Sequence, residues 1–305
     1  MSDPRFTIVV PTYGRAGQLK ACLQAIARLD YPRDRFEVIV VDDGSKQPPE
    51  AQVAEFKRAL PVTLITQPHA GSSAARNAGV AHASGEIIAF LADDCEPGAD
   101  WLRALSRTFV RAPGCLAGGR IVNALPHNPC SAANDRLIGF LYAHYNRDPD
   151  RAQFFTPNNM AMPRSQFLEL GGFDSTMGST GEDREFCDRW LSGGHQILYA
   201  PDAVVHHRHP LTVASFWRQQ IGYGRGTYRY RRRQRQPRQG KIAPERLSFY
   251  LNLVRFPFLH DAGSRAWLHA GLLGLSQIAN ALGFFLEAVA PTRPSGAKGA
   301  TPSSR

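Results

Sequence analysis

Four short runs rich in valine and isoleucine fall within the first 91 residues: Phe6 to Val10, Val38 to Val41, Val62 to Ile65 and Ile87 to Leu91. They do not alternate with polar residues, as half-exposed strands would, so they read as strands buried on both faces. Leu19, Cys22, Leu23, Ile26 and Leu29 lie between the first two at helical spacing, predicting a helix over about 16–28. Val53, Phe56 and Leu60 mark a second helix, and Gly71-Ser72-Ser73 opens a third, running to about Ala81 with serine capping chemistry. A β-α-β-α-β-α-β series of this kind predicts an α/β protein: a doubly wound, mainly parallel sheet with a Rossmann-like nucleotide-binding half.

Two of these strands run into carboxylates. The second ends at Asp42-Asp43, and the fourth, after Ala92, at Asp93-Asp94. Desolvating an unpaired carboxylate costs several kcal/mol or more, so a buried strand gains nothing from two charges at its tip. In an open α/β sheet that tip is where ligands bind. The two acidic pairs predict one crevice for a polar ligand, a metal, or both.

The rest of the chain is less regular. Leu102, Leu105 and Phe109 suggest a helix, Gly114 to Asn123 a turn and strand, and Pro126 to Asp150 is poorly patterned and partly helical. A helix over Glu185 to Leu191 ends at Gly193-Gly194, and strand-like runs surround Pro201. The chain's 305 residues allow one large α/β unit with an appendage, expected here as residues 1–212, a basic and apolar helical region over 213–290, and a disordered tail over 291–305. Hydrophobic content of 43% and charged content of 20% argue against wholesale disorder. Five scattered cysteines form no C-x-x-C pair, which disfavours a disulfide framework or a thiolate zinc site. The first residues lack signal-peptide regions, so a cytoplasmic location is expected.

The net charge of +10 is local. Eight basic residues and no acidic ones lie between Arg225 and Lys241, and removing them leaves 10 − 8 = +2. Tyr228 and Tyr230 interleave with these arginines, a pattern that serves nucleic acid or an anionic membrane surface. Ala266 to Leu286 is 21 residues without a formal charge, long enough to span a bilayer. His269, Ser276, Asn280 and Glu287 nevertheless fall on one helical face, which suits an interfacial helix or one packed on the body. The apolar helix favours the membrane surface, with the protein peripheral or monotopic on its inner face and no nucleic-acid partner.

The order of motifs resembles that of the family-2 glycosyltransferases. It runs through Val9-Val10-Pro11-Thr12-Tyr13, Val40-Val41-Asp42-Asp43-Gly44-Ser45, Gly71 to Gly79, Phe90-Leu91-Ala92-Asp93-Asp94, and Gly172-Phe173-Asp174 to Gly181-Glu182-Asp183. The resemblance covers about Phe6 to Pro210 and implies a GT-A fold, a nucleotide-sugar donor, a divalent cation (Mg2+ or Mn2+) and inversion at the anomeric carbon. It implies that Asp42 and Asp43 hold the nucleoside, with Pro11 and Thr12 beside it, against the alternative that Asp-Gly-Ser merely caps a turn. By resemblance Asp94 binds the metal and Asp93 faces the donor sugar or ribose, although Ala92 replaces the first aspartate of the usual Asp-x-Asp. Hard cations favour such oxygen ligands. The family often supplies a histidine where His206-His207-Arg208-His209 stands; His207 aligns best and His209 second. Arg76 reads as a diphosphate contact or a surface salt bridge, and Asn159 as a sugar contact or a polar turn. Asp183, with Glu182, matches the family's catalytic base, which takes a proton from the acceptor hydroxyl. The acceptor is expected to be a glycan or lipid-linked. A sugar-1-phosphate nucleotidyltransferase is disfavoured because Pro11-Thr12-Tyr13-Gly14-Arg15 is not glycine-rich. A nucleic-acid-binding or scaffold protein with a vestigial site is the remaining alternative.

Overall fold

The computed structural model describes residues 3–178, 180–238 and 245–291, with the backbone alone over 235–238. Strands β1 (Phe6–Thr12), β2 (Phe36–Asp42), β3 (Val62–Thr66) and β4 (Ile87–Leu91) pair in parallel in the order β3-β2-β1-β4. Helices α1 (Ala16–Ile26), α2 (Glu50–Ala54) and α3 (Ser72–Ala81) make the crossovers. Along β1, Phe6, Ile8 and Val10 join the core under α1 while Val9 joins the core under α3, the alternation a strand with both faces covered requires. α2 is shorter than expected, and Phe56 and Leu60 reach the core from the turns behind it.

The second half adds antiparallel strands. After β5 (Cys95–Pro97), α4 (Trp101–Arg111), β6 (Leu116–Asn123) and α5 (Pro129–Tyr145), β7 (Asn159–Pro163) inserts between β4 and β6, antiparallel to both. α6 (Arg164–Glu169) and α7 (Glu182–Ser192) lead to β8 (Ile197–His207), parallel to β6 and antiparallel to β5. The eight strands lie in the order β3-β2-β1-β4-β7-β6-β8-β5. The runs around Pro201 are one strand with a bulge: the register steps from Ala200 to Val204 between Gly119 and Arg120. A proline has no N–H to donate, so the slip falls where it costs the ladder least. The poorly patterned stretch contains a single helix, α5, whose first turn is capped by Asn128; the amide oxygen accepts the Ser131 N–H at 2.9 Å.

Among the described residues, four helices follow: α8 (Val213–Arg238), α9 (Leu247–Arg255), α10 (Pro257–His260) and α11 (Ser264–Val289). α8 and α11 touch backbone to backbone. A Cβ on Gly224 would stand 2.0 Å from the Asn280 carbonyl oxygen, and one on Gly283 2.1 Å from that of Ile221. The polar seam of α11 faces inward. His269 pairs with Asp261 at 2.9 Å, the Asn280 amide donates to Gln220 Oε1 at 3.2 Å, and Glu287 receives Arg229 at 2.9 Å and Arg225 at 3.5 Å. The opposite face leaves Trp267, Ile278, Leu282, Phe285 and Val289 exposed.

The basic run is therefore not the open charged surface expected from sequence. Besides Arg225 and Arg229, Arg231 pairs with Glu245 at 3.2 Å and Arg233 with Asp174. These arginines fasten α8 to its neighbours. The side chains of Arg235 and Arg238, Lys241, and the tail after Pro291 lie outside the described residues.

Candidate active site

The tip of β2 is built as a loop cap. Asp42 Oδ1 accepts the Ser45 N–H at 3.2 Å and the Ser45 hydroxyl, while Asp42 Oδ2 is buried without a hydrogen-bond partner. Asp43 accepts from Gln67 Nε2 at 2.7 Å, Ala70 N–H at 2.9 Å and Gly71 N–H at 2.8 Å, and pairs with His69 at 2.9 Å. Asp43 thus anchors the entry to α3, whose N-cap is Gly71 (φ +94°) with no side-chain cap, in place of the expected serine. Of the two carboxylates predicted to hold the nucleoside, Asp43 is taken up by its loop partners, while Asp42 keeps Oδ2 unpartnered. Beside them Tyr13 and His69 stack at 4.3 Å and remain open to solvent.

The tip of β4 carries a denser cluster. Thr12 Oγ1 donates to Asp93 Oδ2 at 2.8 Å, and Arg15 Nη1 reaches Asp93 at 3.3 Å and Asp94 at 3.1 Å. The β5–β8 pairing sets Cys95 opposite His207, and the Arg208 N–H donates to the Asp94 carbonyl at 2.8 Å. His207 Nε2 then lies 3.3 Å from Asp94 Oδ1, and His209 Nδ1 3.0 Å from Oδ2, with the two imidazoles stacked at 5.2 Å. One carboxylate oxygen and two ring nitrogens within 4.8 Å of one another are a donor set that can close on one cation. Burial pushes Asp93 up to about 6 against the pull of Arg15. Burial also acts to raise Asp94, but hydrogen bonds from His207 and His209 outweigh it and hold this carboxyl well below the usual carboxylate range.

α7 begins at Glu182, so the third acidic pair occupies its first turn and does not precede the helix as expected. Gly181 (φ +89°) makes the turn before it, packed so closely that a Cβ would stand 2.9 Å from the Gly226 carbonyl oxygen. Glu182 faces Arg76 of α3 at 3.5 Å, both buried. Burial, reinforced by the charge of Asp183, pushes Glu182 up to about 7; burial likewise raises Asp183 and lowers Arg76. The two partners' shifts agree that this ion pair does not offset its own desolvation. Ser73 Oγ, Arg76 Nε and Glu182 Oε2 are all buried without a hydrogen-bond partner. Polar atoms left so are costly unless a ligand or water completes them.

Arg76, Glu182, Asp183, His207 and His209 line a single cavity of about 1090 Å³ that continues among α5, α8, α9 and α11. Tyr223 of α8 lines it as well; burial pushes its phenol up to about 12, so the hydroxyl stays protonated. Residues 7–171, more than half of the sequence, match the family model described as Glycosyl transferase family 2. The chain belongs to that family. It is a glycosyltransferase with a GT-A fold, and residues 135–288 also match Glycosyl transferase family group 2.

Among its relatives, glycosyltransferase AglE of Haloferax volcanii is 28% identical over 67% of each chain. The pre-mycofactocin glycosyltransferase of Mycobacterium tuberculosis is 30% identical over 72% of this chain and 46% of its own length. The chain thus spans two thirds of the first relative and about half of the second. Among solved structures, a mannosyltransferase from Pyrobaculum calidifontis in complex with GDP-Man and Mn2+ covers 96% of this chain and 78% of its own at 23% identity, with a TM-score of 0.62. S. aureus TarS 1-349 in complex with UDP-GlcNAc covers 92% and 89% at 13% identity and 0.54.

Within the glycosyltransferase, three sequence-predicted contacts are otherwise engaged. Asn159 is fully buried: Oδ1 accepts the Trp101 indole N–H at 2.9 Å, and Nδ2 donates to the carbonyls of Arg120 at 3.0 Å and Ala203 at 2.7 Å. It ties β7 to β6 and β8 and has no amide group left for a sugar. Arg76 is held by Glu182 inside the protein and is not a surface salt bridge. Pro11 sits in β1 opposite Val41, beyond the β1–β4 pairing, where its missing N–H costs nothing. Arg15 was not anticipated; the available signal was a basic residue directly after a strand tip that faces two acidic ones.

Proposed function

We propose that this glycosyltransferase moves a sugar from a nucleoside diphosphate-sugar to a hydroxyl of a glycan or lipid-linked acceptor, in a single displacement with inversion. The observation that carries the reading is one cavity lined both by Glu182-Asp183 and by the two histidines that grip Asp94. Asp183 takes the acceptor's proton as the acceptor oxygen bonds to the anomeric carbon, and the bond from that carbon to the diphosphate oxygen breaks on the opposite side. Glu182, pinned by Arg76, stands next to Asp183, whose carboxyl burial raises above the usual aspartate range. Thr12 and Arg15 orient Asp93 towards the donor.

Asp94, His207 and His209 would hold a divalent cation, which when bound supplies positive charge against the departing diphosphate. Two imidazoles favour a transition ion such as Mn2+ over Mg2+, which prefers oxygen alone. The two solved structures of the same fold, one with GDP-Man and Mn2+ and one with UDP-GlcNAc, support the donor class. The outward apolar face of α11 supports a position on the inner face of the cytoplasmic membrane. The internal pairing of the arginines in α8 speaks against nucleic acid as their partner.

A panel of nucleotide-sugars, each with Mn2+ or Mg2+ and followed by thermal shift and diphosphate release, tests this reading. At least one donor is expected to stabilise the protein in a metal-dependent way, with the shift lost in His207→Ala and His209→Ala. No stabilisation by any donor would overturn it.

A further inference from the structure

The cavity is far larger than a single hydroxyl needs, and its lining is of two kinds. Asp183, His207 and His209 line it with polar groups, while Leu141 of α5, Phe249 of α9, and Phe284 and Phe285 of α11 give it an apolar wall. Phe285 belongs both to that wall and to the exposed apolar face of α11, so the cavity opens where the outward face begins.

Its charges are unevenly matched. Among the described residues, the lining carboxylates of Asp135, Glu182 and Glu245 each have an arginine partner: Arg136 at 3.1 Å, Arg76 at 3.5 Å and Arg231 at 3.2 Å. Arg184, next to Asp183 on α7, also lines the cavity and has no carboxylate within 4.0 Å among the described residues. Its guanidinium lies 3.8 Å from the centre of the Tyr145 ring and 5.6 Å from those of Phe154 and Tyr230. Aromatic faces hold a cation in place without neutralising it. The result is a positive charge next to Asp183 on α7, fixed on three aromatic rings that also line the cavity.

We propose that this cavity is the acceptor site and that it takes an anionic amphiphile, its phosphate-like head on Arg184 and its chain leaving past Phe285. The inference rests on the reading of Asp183 as the base. A head on Arg184 sets a hydroxyl of the acceptor beside Asp183, and the chain reaches lipid without crossing the nucleotide-binding half. Arg184 is a binding and positioning residue; it does not touch the reacting atoms. A planar guanidinium suits phosphate because it can offer two parallel N–H donors.

The test is calorimetric titration of the full chain with dodecyl phosphate below its micelle concentration, compared with dodecyl maltoside and with inorganic phosphate. Dodecyl phosphate is expected to bind at least about tenfold more tightly than either, because only it offers both a phosphate for Arg184 and an alkyl chain for the apolar wall. Arg184→Gln should remove that advantage, Arg184→Lys should retain part of it, and Ile138→Trp, which fills the apolar section, should weaken both alkyl probes. Donor-induced thermal stabilisation with Mn2+ should persist in all three variants, which shows that they fold. Equal binding of the two alkyl probes, or undiminished dodecyl phosphate binding in Arg184→Gln or Ile138→Trp, would overturn the inference. Inorganic phosphate binding as tightly as dodecyl phosphate would overturn the lipid assignment. Loss of the donor response in the unmodified chain would instead overturn the proposed function.

Discussion

At the scale of single residues, the site turns on how poorly Glu182 and Asp183 are compensated. Glu182 is buried against the equally buried Arg76, with the half-buried Asp183 beside it, and its carboxyl is pushed up to about 7. A group whose folded pKa exceeds its unfolded one binds more protons in the native state, so stability falls as pH rises from the ordinary glutamate range through about 7. The melting temperature is expected to drop across that window more steeply in the wild type than in Glu182→Gln, measured at constant ionic strength. Transfer, by contrast, should rise with pH as the proposed base, Asp183, loses its proton above the ordinary aspartate range. In Glu182→Gln the residual rate should begin its rise at lower pH, because a neighbouring negative charge is gone and Arg76 remains. A rise at higher pH would contradict the placement of Asp183 beside Arg76. After the fact, it is clear why sequence marked Asp94 and His207 more surely than Asn159. Carboxylate and imidazole brought to one strand tip have few structural uses, whereas an asparagine beside a motif looks the same whether it serves a ligand or three backbone and indole groups.

At the scale of elements, α8 and α11 depend on glycines at their crossing. Gly283→Val would drive a branched side chain into the Ile221 carbonyl and should cost about 1–3 kcal/mol, read as a lowered melting temperature with the donor site intact. An unchanged melting temperature would mean that the helices do not pack as closely as described. The first four strands and their helices were legible because period, β-branching and turn residues agreed. β7 was not, because a five-residue strand with only Met160, Ala161 and Met162 between an asparagine and a proline carries little pattern and no record of its direction, and only pairing with β4 and β6 makes it antiparallel. α5 was obscured because it packs on several sides at once, with the four consecutive residues Ser131, Ala132, Ala133 and Asn134 all buried, which erases the single-face pattern.

For the whole molecule, the polar seam of α11 turns inward while its apolar residues turn outward, the reverse of a helix on a water-facing surface. Trp267, Ile278 and Val289 are 74%, 63% and 85% exposed. Replacing all three with serine should release the protein from phosphatidylcholine vesicles in a flotation assay without lowering its melting temperature. Vesicle binding equal to that of the wild type would refute a membrane role for this face. The basic run shows the limit of counting charge along a sequence: its excess is real, but four of its arginines are paired within the fold. In the proposed reaction, a donor side at the tips of β1 and β4 and an acceptor side among the helices meet at Asp183. The most direct measurement is Asp183→Asn, assayed for donor- and Mn2+-dependent thermal stabilisation and for transfer on the same sample. Stabilisation equal to the wild type with transfer reduced at least about a thousandfold is expected, since the base is removed while the donor site stays whole. Turnover close to the wild-type rate would contradict the mechanism.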